Sequence, residues 1–108
     1  MTITEVEQIL ECFRNSCLQP LVNSLVNSAV RYSRLRVDWY LADMESRQAV
    51  DQERTIAHNA FISACDILSR NMKEAGENIS WRIQIGSDRK SIGDFACLLH
   101  AAIGIKAR

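Results

Sequence analysis

Two histidines and four cysteines are the side chains in this sequence whose types could support catalysis. His58 and Cys65 lie seven residues apart in one predicted helix and on the same side of it, as an imidazole base and a thiolate nucleophile would. Seven residues span about 10 Å along a helix axis, which is too far for a hydrogen bond. The pattern therefore favours a half-buried histidine and an unreactive core thiol over a catalytic pair.

His100 suggests a second site, in which it meets His58 and either Asp94 or Asp66. Imidazole and carboxylate groups together can bind a metal ion or exchange protons with a substrate. The sequence has no His-x-x-x-His or Glu-x-x-His pair, so the ligands would have to come from different helices. A capping or interface histidine is the favoured interpretation. No metal and no cofactor is predicted, and no residue is assigned as catalytic.

The segment from Gly86 to Ser91 has the composition of an anion site. Ser87, Arg89 and Lys90 would surround the free N–H groups at the start of a helix. The glycine spacing is not that of a P-loop, and Asp88 would repel a phosphate at this helix end. Capping of the helix by Ser87 is therefore favoured over anion binding.

The same segment also fits a helix-turn-helix, with residues 79–85 before the turn and residues 88–103 as the recognition helix. Arg89 and Lys90 would then contact the nucleic acid. The recognition helix would, however, be apolar on both sides after Ser91, and the chain carries 13 basic and 13 acidic residues. Nucleic-acid binding is therefore the weaker alternative.

Glycine and proline are almost absent from most of the chain, which indicates long helices. Between residues 6 and 75 the only such residue is Pro20. We predict an all-α bundle of four main helices in one domain, residues 1–108. The first helix begins at a Thr4/Glu7 capping box and ends or bends at Pro20. The others are predicted at about residues 21–45, 52–75 and 88–103, with a break at 46–51, Asp51 as an N-cap and Gly76 as a C-terminal stop.

Residues 79–85 alternate between apolar and polar types, which is typical of a strand. A single strand in a helical chain has no partner, so an irregular or short helical segment is favoured over an extended one.

Composition and segment lengths restrict the class of protein. Apolar residues make up 47% and charged residues 24% of the chain, as in ordinary globular domains. No apolar run is long enough to span a bilayer, and the first residues do not resemble a secretory signal. The four cysteines lie in helical patterns without a Cys-x-x-Cys motif, which favours free thiols. A cytoplasmic protein is expected.

Two predicted helices are apolar on both sides, although a surface helix should be polar on one. The second helix has one stripe for the core and an opposite stripe that includes Tyr32, Leu35 and Trp39. The core stripe is Val22, Val26, Ala29, Val30, Val37, Tyr40 and Met44. The last helix carries a ridge of small residues, Gly93, Cys97, Ala101 and Gly104, opposite its main stripe.

The apolar second sides predict self-association. A helix of roughly 38 Å in a sphere of roughly 34 Å leaves a flank that one chain covers poorly. We predict a homodimer whose interface includes Tyr32, Leu35, Trp39, Gly93, Cys97 and Ala101. The favoured function is a small interaction or regulatory protein, with a further protein partner allowed and no membrane binding. The alternatives are an enzyme or ligand-binding protein with its site at His58, Cys65 and His100, and the nucleic-acid-binding protein above.

Overall fold

Four helices make up the part of the fold that the structure describes. The computed structural model describes residues 2–76 and 85–106, without the side chains of 105 and 106. The helices are α1 (Ile3–Cys12), α2 (Gln19–Leu41), α3 (Met44–Glu74) and α4 (Arg89–Lys106). Within the described ranges there is no strand, and the predicted all-α class is confirmed. The same ranges contain no helix that combines the length and hydropathy needed to span a membrane.

α1 begins two residues earlier than predicted. The Thr2 hydroxyl accepts a hydrogen bond from the Glu5 N–H at 3.2 Å, so Thr2 and not Thr4 is the N-cap. The helix ends at Cys12, and the following turn contains Asn15 with φ of 62°, a conformation that asparagine tolerates better than most residues. Pro20 lies in the first turn of α2, where its missing N–H removes no helical hydrogen bond.

The break between α2 and α3 lies at Ala42 and Asp43, not at residues 46–51. Asp43 caps α3, because its carboxylate accepts a hydrogen bond from the Ser46 N–H at 2.7 Å. Hydrogen bonds from the Ser46 N–H and hydroxyl hold the pKa of Asp43 below its ordinary value of 3.8. The predicted N-cap Asp51 is wrong, since this residue lies inside α3 and forms an ion pair with Arg54.

The ends of α3 and α4 follow the sequence more closely. Ala75 is the C-cap of α3 and Gly76 follows with φ of +80°, which confirms the predicted stop. Asp88, rather than the predicted Ser87, caps α4 by accepting a hydrogen bond from the Ser91 N–H at 3.0 Å. The prediction for residues 79–85 falls outside the described residues except for Ile85, which is buried.

α2 is the central helix, with α3 packed along one side and α4 along another. Tyr32 faces α3, where its ring centroid lies 5.3 Å from that of His58 and 6.2 Å from that of Phe61. The next residue, Ser33, faces α4, where its hydroxyl lies 3.1 Å from His100 Nδ1. At these positions both sides of α2 are therefore covered within one chain, which the sequence argument for a dimer did not anticipate.

The molecule is elongated, which accommodates the long helices without a partner. Its principal extents are 48 × 30 × 22 Å, and the 31 residues of α3 span about 46 Å. The prediction of a dimer compared the length of the second helix with the diameter of a spherical molecule. The molecule is not spherical, so that comparison was wrong. The core runs along this axis between the helices. It contains Val6, Phe13, Val22, Leu25, Ala29, Tyr32, Ala57, Phe61, Cys65, Leu68, Met72, Ile85, Ile92, Phe95, Ala96, Leu99 and Ala102.

Candidate functional site

Five polar side chains meet where α2 crosses α4. We call this group the α2–α4 polar cluster: Ser33 and Arg36 from α2, and Asp94, Cys97 and His100 from α4. Each helix supplies its members at intervals of three residues, which places them along one side of that helix. This spacing is the signal available in the sequence. The register that brings the two sides together is not visible there.

The Cys97 sulfur lies at the centre of the polar cluster. Arg36 Nη1 donates to it at 3.3 Å, and the Ser33 hydroxyl lies 3.6 Å away. The same hydroxyl lies 3.1 Å from His100 Nδ1, so a hydrogen-bonded chain links the thiol to the imidazole. Arg36 also pairs with the Asp94 carboxylate at 3.4 Å, which fixes the guanidinium beside the sulfur.

Burial differs across the polar cluster. Ser33 is only 7% exposed, whereas the Asp94 side chain is 57% exposed and that of Arg36 is 29% exposed. Cys97 and His100 are half-buried. The Ser33 hydroxyl is therefore held inside the bundle, whereas the Asp94 carboxylate faces solvent.

The predicted site around His58, Cys65, His100 and Asp94 is not assembled. His58 lies on the α3 side of α2, against the edge of Tyr32, and its Nδ1 is 3.3 Å from Asn59 Oδ1. Cys65 is buried in the core at 3% exposure. The structure brings Asp94 and His100 together with Ser33, Arg36 and Cys97 instead. Among the described residues, no three His, Cys, Asp or Glu side chains are placed to hold a metal ion.

The predicted anion-binding residues are all exposed at the start of α4. Arg89 Nη2 donates to Thr55 Oγ1 at 3.3 Å, which directs this guanidinium toward α3. The Asp88 carboxylate occupies the helix end, and the Ser91 hydroxyl and N–H, with Lys90 nearby, lower its pKa. Anion binding by Ser87, Arg89 and Lys90 stays a prediction, although a carboxylate already holds the position that a phosphate would take.

The helix predicted to read nucleic acid in the helix-turn-helix alternative corresponds to α4. The apolar side of α4 is packed in the core. Ile92, Phe95 and Leu99 are all buried. Among the described side chains of α4, the basic ones are Arg89 and Lys90 in the exposed first turn, and Arg89 is turned toward α3.

Four of the six predicted interface residues contact their own chain. Tyr32 is 1% exposed against α3, and Cys97 belongs to the polar cluster. Gly93 is buried under Arg36: a Cβ at this position would lie 2.7 Å from Arg36 Cζ. The packing of α2 between α3 and α4 covers these residues within one chain, and their assignment to an intermolecular surface stays a prediction.

Trp39 is the fourth residue covered by its own chain. The guanidinium carbons of Arg47 and Arg54 lie 4.6 Å and 4.2 Å from its ring centroid. These contacts are cation–π interactions across the α2–α3 hairpin. Leu35 is half-buried in a shallow groove of about 320 Å³, and Ala101 is exposed on α4.

The exposed apolar surface lies instead at the end of the α2–α3 hairpin. We call it the tip stripe: Val37, Tyr40, Leu41 and Met44. Their exposures are 54%, 77%, 78% and 88%. Val37, Tyr40 and Met44 were predicted as core positions, which is wrong. α4 contacts α2 at Ser33 and Arg36, whereas the tip stripe begins with the residue after Arg36.

A separate groove of about 540 Å³ lies near the other end of α2. Leu10, Val26 and Ile103 supply apolar lining, and Arg14 and Asn23 supply polar lining. Neither His58 nor His100 belongs to this lining, so the groove does not restore the predicted ligand site.

Comparison with protein-family models, curated proteins and solved structures found no match to this chain.

Proposed function

We propose that this protein is an interaction module that forms a homodimer through the tip stripe. The observation that carries the proposal is the exposure of four large apolar side chains within eight residues, each more than half exposed. Exposed apolar residues scattered singly are normal on protein surfaces, whereas a contiguous group marks an interaction site.

The tip stripe continues the side of α2 that α4 covers. Ser33 contacts α4, and Val37, Tyr40 and Leu41 follow it at four, seven and eight residues, on neighbouring positions of the same helix. A helix from a second copy can therefore pack on this side of α2 after Arg36, as α4 packs on it at Ser33 and Arg36. We infer a symmetric pair in which each tip stripe covers the other.

The size of the tip stripe suits a weak dimer. Its four side chains present about 500 Å² of surface, within the range of the largest apolar patches on monomers. Two copies and a polar rim bring the buried total near the lower limit of about 1,200 Å² for a specific interface. Each large apolar side chain stabilises by about 1.5–3 kcal/mol when fully buried, against an association cost of about 4–15 kcal/mol. A dissociation constant in the micromolar range is expected.

Charges beside the tip stripe favour an antiparallel pair. Arg31 and Arg34 are exposed on α2 before the stripe begins, and Asp38 is exposed within it beside Val37. Asp43 and Glu45 are exposed at the hairpin turn. The stripe therefore has a basic end and an acidic end. Antiparallel pairing brings the basic end of one copy to the acidic end of the other, whereas parallel pairing places like charges together.

Sedimentation velocity of the full chain from about 1 to 200 µM tests the proposal. The sedimentation coefficient should rise with concentration as dimers form. Leu41→Glu places a charge in the tip stripe and should abolish the rise. Ile56→Glu is the matched control, because Ile56 is also exposed, at 59%, but lies on α3 outside the stripe.

A wild-type protein that stays monomeric over this range overturns the homodimer. Equal dimerisation of the wild type and Leu41→Glu places the contact elsewhere and also overturns the proposal. Circular dichroism of each variant separates loss of association from loss of folding.

A further inference from the structure

We propose that Cys97 is a peroxide-reactive thiol and that the α2–α4 polar cluster supports its oxidation to a sulfenic acid. The inference is independent of the proposed dimer, because the polar cluster lies within one chain. It starts from the contrast among the four cysteines, none of which forms a disulfide. Cys12 and Cys17 are exposed, Cys65 is buried in the core, and Cys97 is half-buried beside a guanidinium.

The contacts of the sulfur match the needs of this reaction. The thiolate is the nucleophilic form of cysteine, and a neighbouring cation stabilises the negative charge of the thiolate before it attacks the peroxide. Arg36 Nη1 lies 3.3 Å from the sulfur and is held there by Asp94.

The hydrogen-bonded chain from Cys97 through Ser33 to His100 provides a path for the thiol proton. The Ser33 hydroxyl donates to the sulfur in the structure. When this hydroxyl turns to His100 Nδ1, its proton passes to the imidazole as the thiol proton passes to Ser33 Oγ, and Arg36 faces the resulting thiolate. The sulfur then attacks one oxygen of hydrogen peroxide. The S–O bond forms as the O–O bond breaks, and the leaving hydroxide takes a proton from the imidazolium to become water.

The step balances with one molecule of peroxide per thiol. The sulfur is oxidised by two electrons, the peroxide is reduced, and the products are one sulfenic acid and one water. Arg36 touches the reacting sulfur, whereas His100 acts through Ser33 and is a positioning residue that also relays the proton. Arg36 and the hydroxyl of Ser33 remain as hydrogen-bond donors to the oxidised product.

The test compares the four cysteines within the same molecule. The reduced full chain is treated with hydrogen peroxide in the presence of a cyclic 1,3-diketone, which traps sulfenic acids, and labelling of each cysteine is followed by peptide mass spectrometry. Cys97 should be labelled faster than Cys12 and Cys17 although it is less exposed, and Cys65 should be labelled most slowly. Labelling of Cys97 no faster than that of Cys12 and Cys17 overturns the proposal.

Variants identify the groups responsible. Arg36→Met removes the charge but keeps the length of the side chain, and it should slow labelling of Cys97 about tenfold or more, with Cys12 unchanged. Arg36→Lys restores a cation and should recover part of the rate. His100→Gln should weaken the rise of the Cys97 rate with pH, which a purely structural role would leave unchanged. An Arg36→Met protein with the wild-type rate at Cys97 contradicts the assignment.

Discussion

The guanidinium of Arg36 occupies the space that a side chain at position 93 would need. A Cβ at Gly93 would come within 2.7 Å of Arg36 Cζ and 2.8 Å of its Nε. Gly93 therefore allows Arg36 to lie between α2 and α4, where it reaches Asp94 and Cys97. Gly93 therefore helps to position the polar cluster because it has no side chain that would displace Arg36.

Substituting this glycine should displace Arg36 without unfolding the protein. In Gly93→Ala the flexible end of Arg36 must move out, while the higher helix propensity of alanine adds up to about 1 kcal/mol of stability. We expect a free energy of unfolding within about 1 kcal/mol of the wild type and a shift of the Arg36 guanidinium NMR signals toward those of free arginine.

Gly104→Ala is the matched control, since no atom lies within 4 Å of a Cβ built at Gly104. It should leave the Arg36 signals in place. If these signals are also unchanged in Gly93→Ala, the close approach of Arg36 to position 93 is wrong.

The stacking of Trp39 with two arginines should contribute measurably to stability. Arg47→Met and Arg54→Met keep most of the aliphatic side chain but remove the charge over the ring. Each should lower the free energy of unfolding by about 0.5–1 kcal/mol, as measured by urea denaturation. Arg70→Met, at an exposed position on α3, should have a smaller effect, and an equal loss in all three variants would mean that stacking is not the cause.

The Asp43 cap should make the stability of the α2–α3 hairpin depend on pH. The Ser46 hydrogen bonds lower the pKa of this carboxyl in the folded state. Its contribution is therefore complete above the ordinary pKa of 3.8 and is lost as the pH falls through the lower folded-state pKa. Asp43→Ala should lower Tm by about 4–8 °C at pH 7.

The difference in Tm between the wild type and Asp43→Ala should shrink as the pH falls from about 5 to about 2. Asp43→Asn keeps a capping oxygen without the charge, so its Tm at pH 7 should lie between those of the wild type and Asp43→Ala. Thermal unfolding followed by circular dichroism measures all three proteins, and a difference that does not vary with pH would show that the carboxylate charge does not matter.

Charge exchange should test the antiparallel arrangement of the proposed dimer. Arg34→Glu and Glu45→Arg each place like charges opposite one another and should weaken dimerisation about threefold to tenfold at low salt. The double variant restores opposite charges and should recover the wild-type affinity in sedimentation equilibrium. Additive weakening in the double variant would exclude the antiparallel pair.

The sequence predicted the helical class well, because helix length depends on local residues. The near absence of glycine and proline, the stop at Gly76 and the buried stripe of Phe61, Cys65 and Leu68 are all local signals. The break at Ala42 and Asp43 was missed, because it contains neither glycine nor proline. The aspartate three residues before Ser46 was the available signal.

The neighbours of each helix side could not be predicted from the sequence. Periodicity shows that α2 has two apolar sides, but it does not show that α3 covers Tyr32 and α4 covers Ser33. For the same reason the polar cluster was missed, since its members lie on two helices and meet through tertiary register. The exposure of Tyr40 also depends on where α4 contacts α2, and not on the residues around it.

Isotope-filtered nuclear Overhauser spectroscopy on a mixture of labelled and unlabelled protein tests the central claim most directly, because it detects contacts between copies of the chain. We predict intermolecular signals between the Tyr40 ring and the methyl groups of Leu41 and Met44, at concentrations where sedimentation shows dimers. Intermolecular signals confined to other surfaces, such as Ala101 on α4, or no such signals at all, would contradict the proposed interface.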